Sequence, residues 1–283
     1  MITELDSPPP PCTAVLCVLN EAALIAESIS ALRALRLRAL IVVDGGSSDG
    51  THEFLLKQND LTLISLPAVG LLSQRLAGIG AAQTDIVLLV DVDDKIEPAG
   101  FQAALAQLAG RSDLDGLQFH LSTPGRTYWE RAWAAYFGVI SVPQSRPVLL
   151  GRPCLAYAKN YHFGEGKRTD NIFAEDTWIH LQERELSRKY EVTSSSSSRE
   201  CPLSFQSNFA QFVRYGESDS RICSSAEESL NLLFHTSIRI AIFRSLVAIK
   251  TGRWRYAPFF VLMGGVRTLS HLITSIRDRA HRP

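Results

Sequence analysis

The stretch Asp85–Asp94, DIVLLVDVDD, constrains the fold of this 283-residue chain more than any other. Ile86–Val90 is an unbroken apolar run rich in β-branched residues. That composition suits a strand buried on both faces, as in a parallel sheet covered by helices. The run stops in Asp91, Asp93 and Asp94. Three carboxylates at the end of a buried strand repel one another, and burying an unpaired charge is costly. A hard divalent cation resolves that conflict, since it takes oxygen ligands and keeps positions open for water or phosphate. An acidic turn capping the next helix resolves it too, and the stretch alone leaves both readings open.

The flanking sequence repeats the arrangement. Thr13–Leu19, Ala39–Val43, Leu61–Leu66 and Ile86–Val90 read as strands. Ala22–Leu35, a short segment up to Gln58, Gly70–Ala82 and Pro98–Ala109 read as helices, with Asn20 as a candidate cap for the first. Alternation with short connections predicts right-handed βαβ units and an α/β fold, a mostly parallel sheet flanked by helices. Ligands of such sheets sit outside the carboxyl ends of the strands. Asn20, Asp44 and Asp91–Asp94 all fall there. Further on, Gly116–Leu121 and Pro153–Ala158 read as strands and Arg126–Ile140 as an aromatic-rich helix. Tyr161–Ala174 is a polar connection of the kind that orders over a substrate. Glu175-Asp176 opens a helical pattern, Thr177–Leu186. The serine run Ser194–Ser198 reads as a solvated loop, and Phe205–Tyr215 as a short helix.

Charge is balanced overall, 29 basic against 29 acidic residues, but unevenly placed. From Leu230 onward Asp278 is the one acid among nine arginines and lysines, so the chain has an acidic body and a basic tail. Nucleic acid is not expected as a partner, because the body is acidic and no reading motif is present. The five cysteines form no CxxC and read as buried thiols of a reducing compartment. Residues 1–12, acidic and proline-rich, lack the basic and apolar regions of a signal peptide and read as a flexible lead-in. The expected organisation is that lead-in, a catalytic domain over 13–225 and a basic amphipathic helical tail over 226–283.

Six motifs now fall in one order: VLNEA at Val18–Ala22, VVDGGSSDGT at Val42–Thr51, SQRLAGIGAA at Ser73–Ala82, LLVDVDD at Leu88–Asp94, AED at Ala174–Asp176 and QFVRYG at Gln211–Gly216. In that order and at those separations they resemble the family 2 glycosyltransferases, which have the GT-A fold. The resemblance implies a nucleotide-sugar donor bound by Asn20, Glu21, Asp44, Arg75, Asp91 and Asp93, with Asp44 on the base. Asp93 would ligate Mg²⁺ or Mn²⁺, and Asp91 would contact the ribose or a metal-bound water. Asp176 would be the general base of an inverting displacement. Glu175, Gln211, Arg214 and Tyr215 would border the acceptor and the diphosphate. Tyr215 stands where the polymer-making branch has Trp, which speaks against processive synthesis.

Other readings stand beside these. Asp44 also suits the ribose of a dinucleotide fold, although no GxGxxG follows the first strand. Arg75 also reads as a solvated helix residue, Asp94 as a cap for Pro98–Ala109, and Glu175 and Asp176 as first-turn acids. His120, His162 and His180 fit no ligand spacing.

The activity implied is metal-dependent transfer from a UDP-sugar, ahead of GDP-mannose, to a hydroxyl of a lipid-linked saccharide, glycolipid or polysaccharide. A polyprenyl-phosphate acceptor and a non-catalytic scaffold are the alternatives. Residues 229–276, amphipathic and basic with Trp254, Tyr256 and Phe259 nearby, read as helices lying in the inner face of the cytoplasmic membrane. A helical pair packed on the domain or on a second subunit is the competing reading.

Overall fold

The computed structural model describes residues 10–123, 125–136, 153–161, 187–199, 203–222 and 225–280. The chain divides into two compact units. In the first, the described residues form an eight-stranded sheet. Its strands are β1 (Cys12–Val18), β2 (Ala39–Asp44), β3 (Thr62–Ser65), β4 (Ile86–Val90), β5 (Asp94–Ile96), β6 (Gly116–Ser122), β7 (Cys154–Tyr157) and β8 (Tyr190–Arg199), in the order β3-β2-β1-β4-β7-β6-β8-β5. β3, β2, β1 and β4 run parallel. β7 pairs antiparallel with both β4 and β6, and β5 pairs antiparallel with β8. The sheet is therefore mixed, built on a parallel core.

Helices α1 (Ile25–Ala34), α2 (Thr51–Leu55) and α3 (Leu71–Ala81) connect the parallel strands, and α4 (Pro98–Ala109) follows β5; together they cover the sheet. Strand alternation sorts the two faces. Ala14, Leu16, Val42 and Leu88 join Ile25 and Ile29 of α1 and Phe101 and Leu105 of α4 in one continuous core. Val15 and Val43 point the other way, toward α3. Every residue of β4 is buried. Each such Val or Leu contributes roughly 1.5–3 kcal/mol relative to exposure, so the central strand is fixed by its neighbours on both faces. Gly78 permits the close approach of α3: a Cβ there would lie 2.4 Å from Val15 Cγ1 and 3.1 Å from Val43 Cγ2.

Three local expectations need correction. Asn20 does not cap α1, whose cap position is Leu24 without a side-chain bond. Asp94 does not cap α4 either; Glu97 holds that position, and Asp94 begins β5. The serine run is no loop. It is the body of β8, because β5 supplies a hydrogen-bonding partner, pairing Lys95 with Ser198 and Ile96 with Ser197. Small polar side chains suit a strand that is only partly covered.

The second unit is helical among its described residues. It holds α5 (Tyr128–Tyr136), α6 (Phe205–Ile222), α7 (Ala226–Leu233), a π-helical turn at Phe234–Ile238, α8 (Arg239–Lys250) and α9 (Ala257–Ala280). α6 runs well past the short helix expected from the sequence. An aromatic cluster joins α5, α6 and α9: Tyr136 meets Phe212 edge-on at 4.9 Å and Phe260 at 5.8 Å, geometry that adds to plain burial. At the crossing of α6 and α9, a Cβ on Gly216 would lie 2.3 Å from the Arg267 carbonyl oxygen. Beside it, buried Arg267 forks onto Asp219 at 2.7 and 3.0 Å. Its guanidinium also lies over the Tyr215 ring, 5.4 Å from the centroid. Ser229 and His271 share a buried hydrogen bond of 2.7 Å.

The tail helices leave much apolar surface uncovered. Ile242, Phe243, Leu246, Leu269, Ile273 and Ile276 are all exposed, with Arg239, Lys250, Arg255 and Arg277 exposed among them. Trp254–Asp278 is long and apolar enough to cross a membrane by length and composition alone. However, 44% of its most apolar window is buried, and its interior face carries the Arg267–Asp219 pair.

Candidate active site

The carboxyl ends of β1, β2 and β4 lie side by side, and two loops there are stitched together. Asn20 has a left-handed backbone, φ 59°. Its amide N–H donates to Ser47 Oγ at 2.9 Å, and its side-chain oxygen accepts from the Ser48 N–H at 2.9 Å. The Glu21 N–H donates to Thr51 Oγ1 and the Ala22 N–H to Asp49 Oδ2. These bonds explain the joint occurrence of NEA and DGGSSDGT: short polar side chains on one loop satisfy backbone donors of the other. The role Asn20 plays is therefore to close a loop, not to start a helix.

Asp44, the last residue of β2, is 1% exposed. Its Oδ1 accepts from the Ser47 N–H at 3.0 Å and the Ser47 hydroxyl at 2.6 Å. Its Oδ2 accepts from His52 Nδ1 at 2.7 Å, which places the proton of that imidazole on Nδ1. Burial pushes the carboxyl up, but the Ser47 and His52 hydrogen bonds outweigh it and hold the group below the usual carboxylate range. A carboxylate has about four acceptor positions and three are used, so one remains on Oδ2 for a ligand N–H. His52, the partner of Asp44, was passed over in the sequence reading. Its spacing from Asp44 across a glycine-rich loop carries no pattern by itself.

Two strands away, about 10 Å by ordinary strand spacing, is the acidic cluster. Oxygens of Asp91, Asp93 and Asp94 lie within 4.8 Å of one another, a donor set suited to a hard divalent cation. Arg75 on α3 donates from Nη2 to Asp91 Oδ1 at 2.6 Å, so it is a partner of the cluster and not a solvated helix residue. A second arginine, Arg199 at the end of β8, was not anticipated. It reaches the cluster because β5 and β8 pair Asp94 directly with Arg199. Its Nε and Nη2 fork onto Asp94 at 2.8 Å each, Nη2 also donates to Asp91 Oδ2 at 2.9 Å, and Nε lies 3.5 Å from Asp93 Oδ1. Burial pushes the Asp91 carboxyl up, but the Arg75 and Arg199 guanidiniums overcome it and leave it below its ordinary value. Asp93, with the loosest contact to Arg199, is pushed up to about 7 by burial and by its two acidic neighbours.

Gln211, Arg214 and Tyr215 lie on α6 in the helical unit. Gln211 Nε2 donates to the Tyr215 hydroxyl at 2.7 Å, and Arg214 is exposed. Glu175 and Asp176, together with Thr177–Leu186, His162 and His180, lie outside the described residues. Asn20, Asp44, Arg75, Asp91 and Asp93 are thus brought to one edge of one sheet, and Glu21 shares the stitched loop.

A mixed sheet with acids at the ends of its parallel core strands, α1, α2 and α4 on one face and α3 on the other, is the GT-A fold of nucleotide-sugar glycosyltransferases. Residues 13–186 match the family described as glycosyl transferase family 2, and the chain belongs to it. No curated protein matches the sequence. Among solved structures, the chain is similar to the mannosyltransferase PcManGT from Pyrobaculum calidifontis in complex with GDP-Man and Mn²⁺. The TM-score is 0.63 and the identity 15%, over 96% of this chain and 89% of that one. It is also similar to S. aureus TarS 1-349, with TM-score 0.55 and 15% identity over 96% and 92%. The same TarS fragment with UDP-GlcNAc gives a TM-score of 0.51 at 16% identity, with the same coverage.

Proposed function

We propose that this glycosyltransferase is inverting and metal-dependent, and that it moves a sugar from a nucleoside diphosphate to a hydroxyl acceptor presented at an anionic membrane. The observation that carries the donor half is the placing of Asp44 and the Arg75–Asp91–Asp93 cluster along one sheet edge, two strands apart. The free acceptor position on Asp44 suits a ring N–H, which uracil and guanine both present. Similar structures hold GDP-Man and UDP-GlcNAc, so the UDP preference drawn from the sequence widens to GDP-sugars.

Asp93, with Asp91 beside it, would hold Mg²⁺ or Mn²⁺, and a cation there neutralises charge that develops on the leaving diphosphate. Arg75 orients Asp91 toward the ribose side. Asp176, assigned from the AED motif, removes the proton of the attacking hydroxyl, with Glu175 next to it. Gln211, Arg214 and Tyr215 are assigned to the acceptor side by the same resemblance.

The uncovered apolar face of α8 and α9, interleaved with exposed Arg239, Lys250, Arg255 and Arg277, fits helices lying in an anionic lipid interface on the cytoplasmic side. A lipid-linked saccharide or glycolipid is then the acceptor class. Co-sedimentation with vesicles containing anionic lipid tests this: binding at low salt that weakens at high salt is expected. Absence of binding at low salt removes the membrane claim.

The central experiment screens UDP- and GDP-sugars for Mn²⁺-dependent binding and transfer, then repeats the assay with Asp93→Ala and Asp176→Asn. Both variants should fold and lose transfer by two orders of magnitude or more. Loss in Asp93→Ala with retention in Asp176→Asn points to an anionic polyprenyl-phosphate acceptor, which needs no base. Full activity in both sinks the mechanism, and failure of every nucleotide sugar to bind leaves a scaffold.

A further inference from the structure

The sequence offered three carboxylates as a metal site, but the structure adds two guanidiniums to them. Arg75 and Arg199 between them donate to both oxygens of Asp91, and Arg199 takes both oxygens of Asp94. Asp93 keeps its carboxylate at the longer 3.5 Å from Arg199. Among the described residues, three aspartates face two guanidiniums, so the cluster carries at most a single net negative charge. Arg199 is only 11% exposed and is fixed by strand pairing to Asp94, so it cannot swing aside as a long surface arginine would.

We propose that Arg199 is a positioning residue that makes divalent-cation binding depend on the diphosphate of the donor. A cation arriving alone meets one open carboxylate and two fixed positive charges. A cation arriving with a nucleoside diphosphate brings its own anionic oxygens, which supply the ligands and the charge that Asp91 and Asp94 have committed to the arginines. Arg199 thereby orders the site: it holds Asp91 and Asp94 in place and leaves Asp93 to the cation. A lone metal gains little there. The inference rests on the donor site proposed above, and it concerns this chain's own β8 arginine.

The test measures Mn²⁺ affinity by calorimetry, with and without saturating UDP or GDP, on the full-length protein and on Arg199→Gln and Arg199→Lys. Wild type should bind Mn²⁺ at least tenfold more tightly when UDP or GDP is present. Arg199→Gln, which can still donate to Asp94 but carries no charge, should bind Mn²⁺ alone at least tenfold more tightly than wild type, about 1.4 kcal/mol. The advantage given by the nucleotide should shrink to match. Arg199→Lys retains the charge and should restore the dependence. Unchanged Mn²⁺ affinity in Arg199→Gln, with nucleotide binding intact, overturns the proposal and leaves Arg199 a purely structural partner of Asp94. Should that variant melt at room temperature by circular dichroism, the wild-type comparison decides: equal Mn²⁺ affinity with and without nucleotide overturns it. If neither UDP nor GDP binds beside Mn²⁺, the donor-site reading falls first and takes this inference with it.

Discussion

Asp44 shows how a single carboxylate can be buried and still held in its charged form. Three of its acceptor positions are spent on Ser47 and His52, which keeps it ionised and immobile, and the fourth is open. Its pKa is depressed in the folded protein, so the stability it contributes is present above the ordinary carboxylate value of 3.8 and is lost as pH falls through the lower, folded value. Asp44→Asn should therefore cost about 1–3 kcal/mol near pH 7. Thermal melts of variant and wild type should converge as pH drops below 3.8; a gap that stays constant to pH 2.5 argues that the carboxylate charge is not what matters. The placements legible in advance were those of acids at strand ends: Asp44, Asp91 and Asp93. Arg199 was not legible. Its meaning comes from strand register, which brings together positions 105 apart in the chain.

Secondary structure was read well where burial enforces period and badly where a partner decides. Ile86–Val90 and Pro98–Ala109 have the bounds expected from apolar pattern alone. Ser194–Ser198 has no such pattern and becomes strand only through β5. Two glycines of α3 separate the effects of packing and propensity. Gly80 is exposed with open space at its Cβ position, so Gly80→Ala should gain up to about 1 kcal/mol. Gly78→Ala meets a β-branched valine in a strand that cannot rotate away. It should lose about 1–3 kcal/mol despite the same helical gain, and it should loosen the contact of Arg75, one turn away, with Asp91. Urea denaturation of the pair checks both signs; a Gly78→Ala protein as stable as Gly80→Ala would show that α3 is free to shift. In the helical unit, Arg267→Met leaves Asp219 buried without its counter-charge and should cost about 3–5 kcal/mol. Replacing both by Met and Leu should recover most of that loss. Equal losses in single and double variants would mean that packing, not charge, is at stake.

At the scale of the molecule, balanced overall charge conceals an uneven distribution: three aspartates cluster at the end of β4, and basic residues lie among exposed apolar helices. The acidic cluster is tied to a particular place in the sheet. β5 is three residues long and closes the strand order at one rim, with β3 at the other. Among the described strands β5 neighbours β8 alone, and loss of that pairing would carry Asp94 away from Arg199 and disturb Asp91 with it. Occupancy of the site should consequently be visible as slowed hydrogen exchange at Lys95 and Ile96 when Mn²⁺ and UDP or GDP are added. The amides of β3 should keep their rates, and equal slowing at both rims would mean a general tightening of the sheet. The rim strand would then act as a latch, whose opening sets how quickly the site can be emptied and filled.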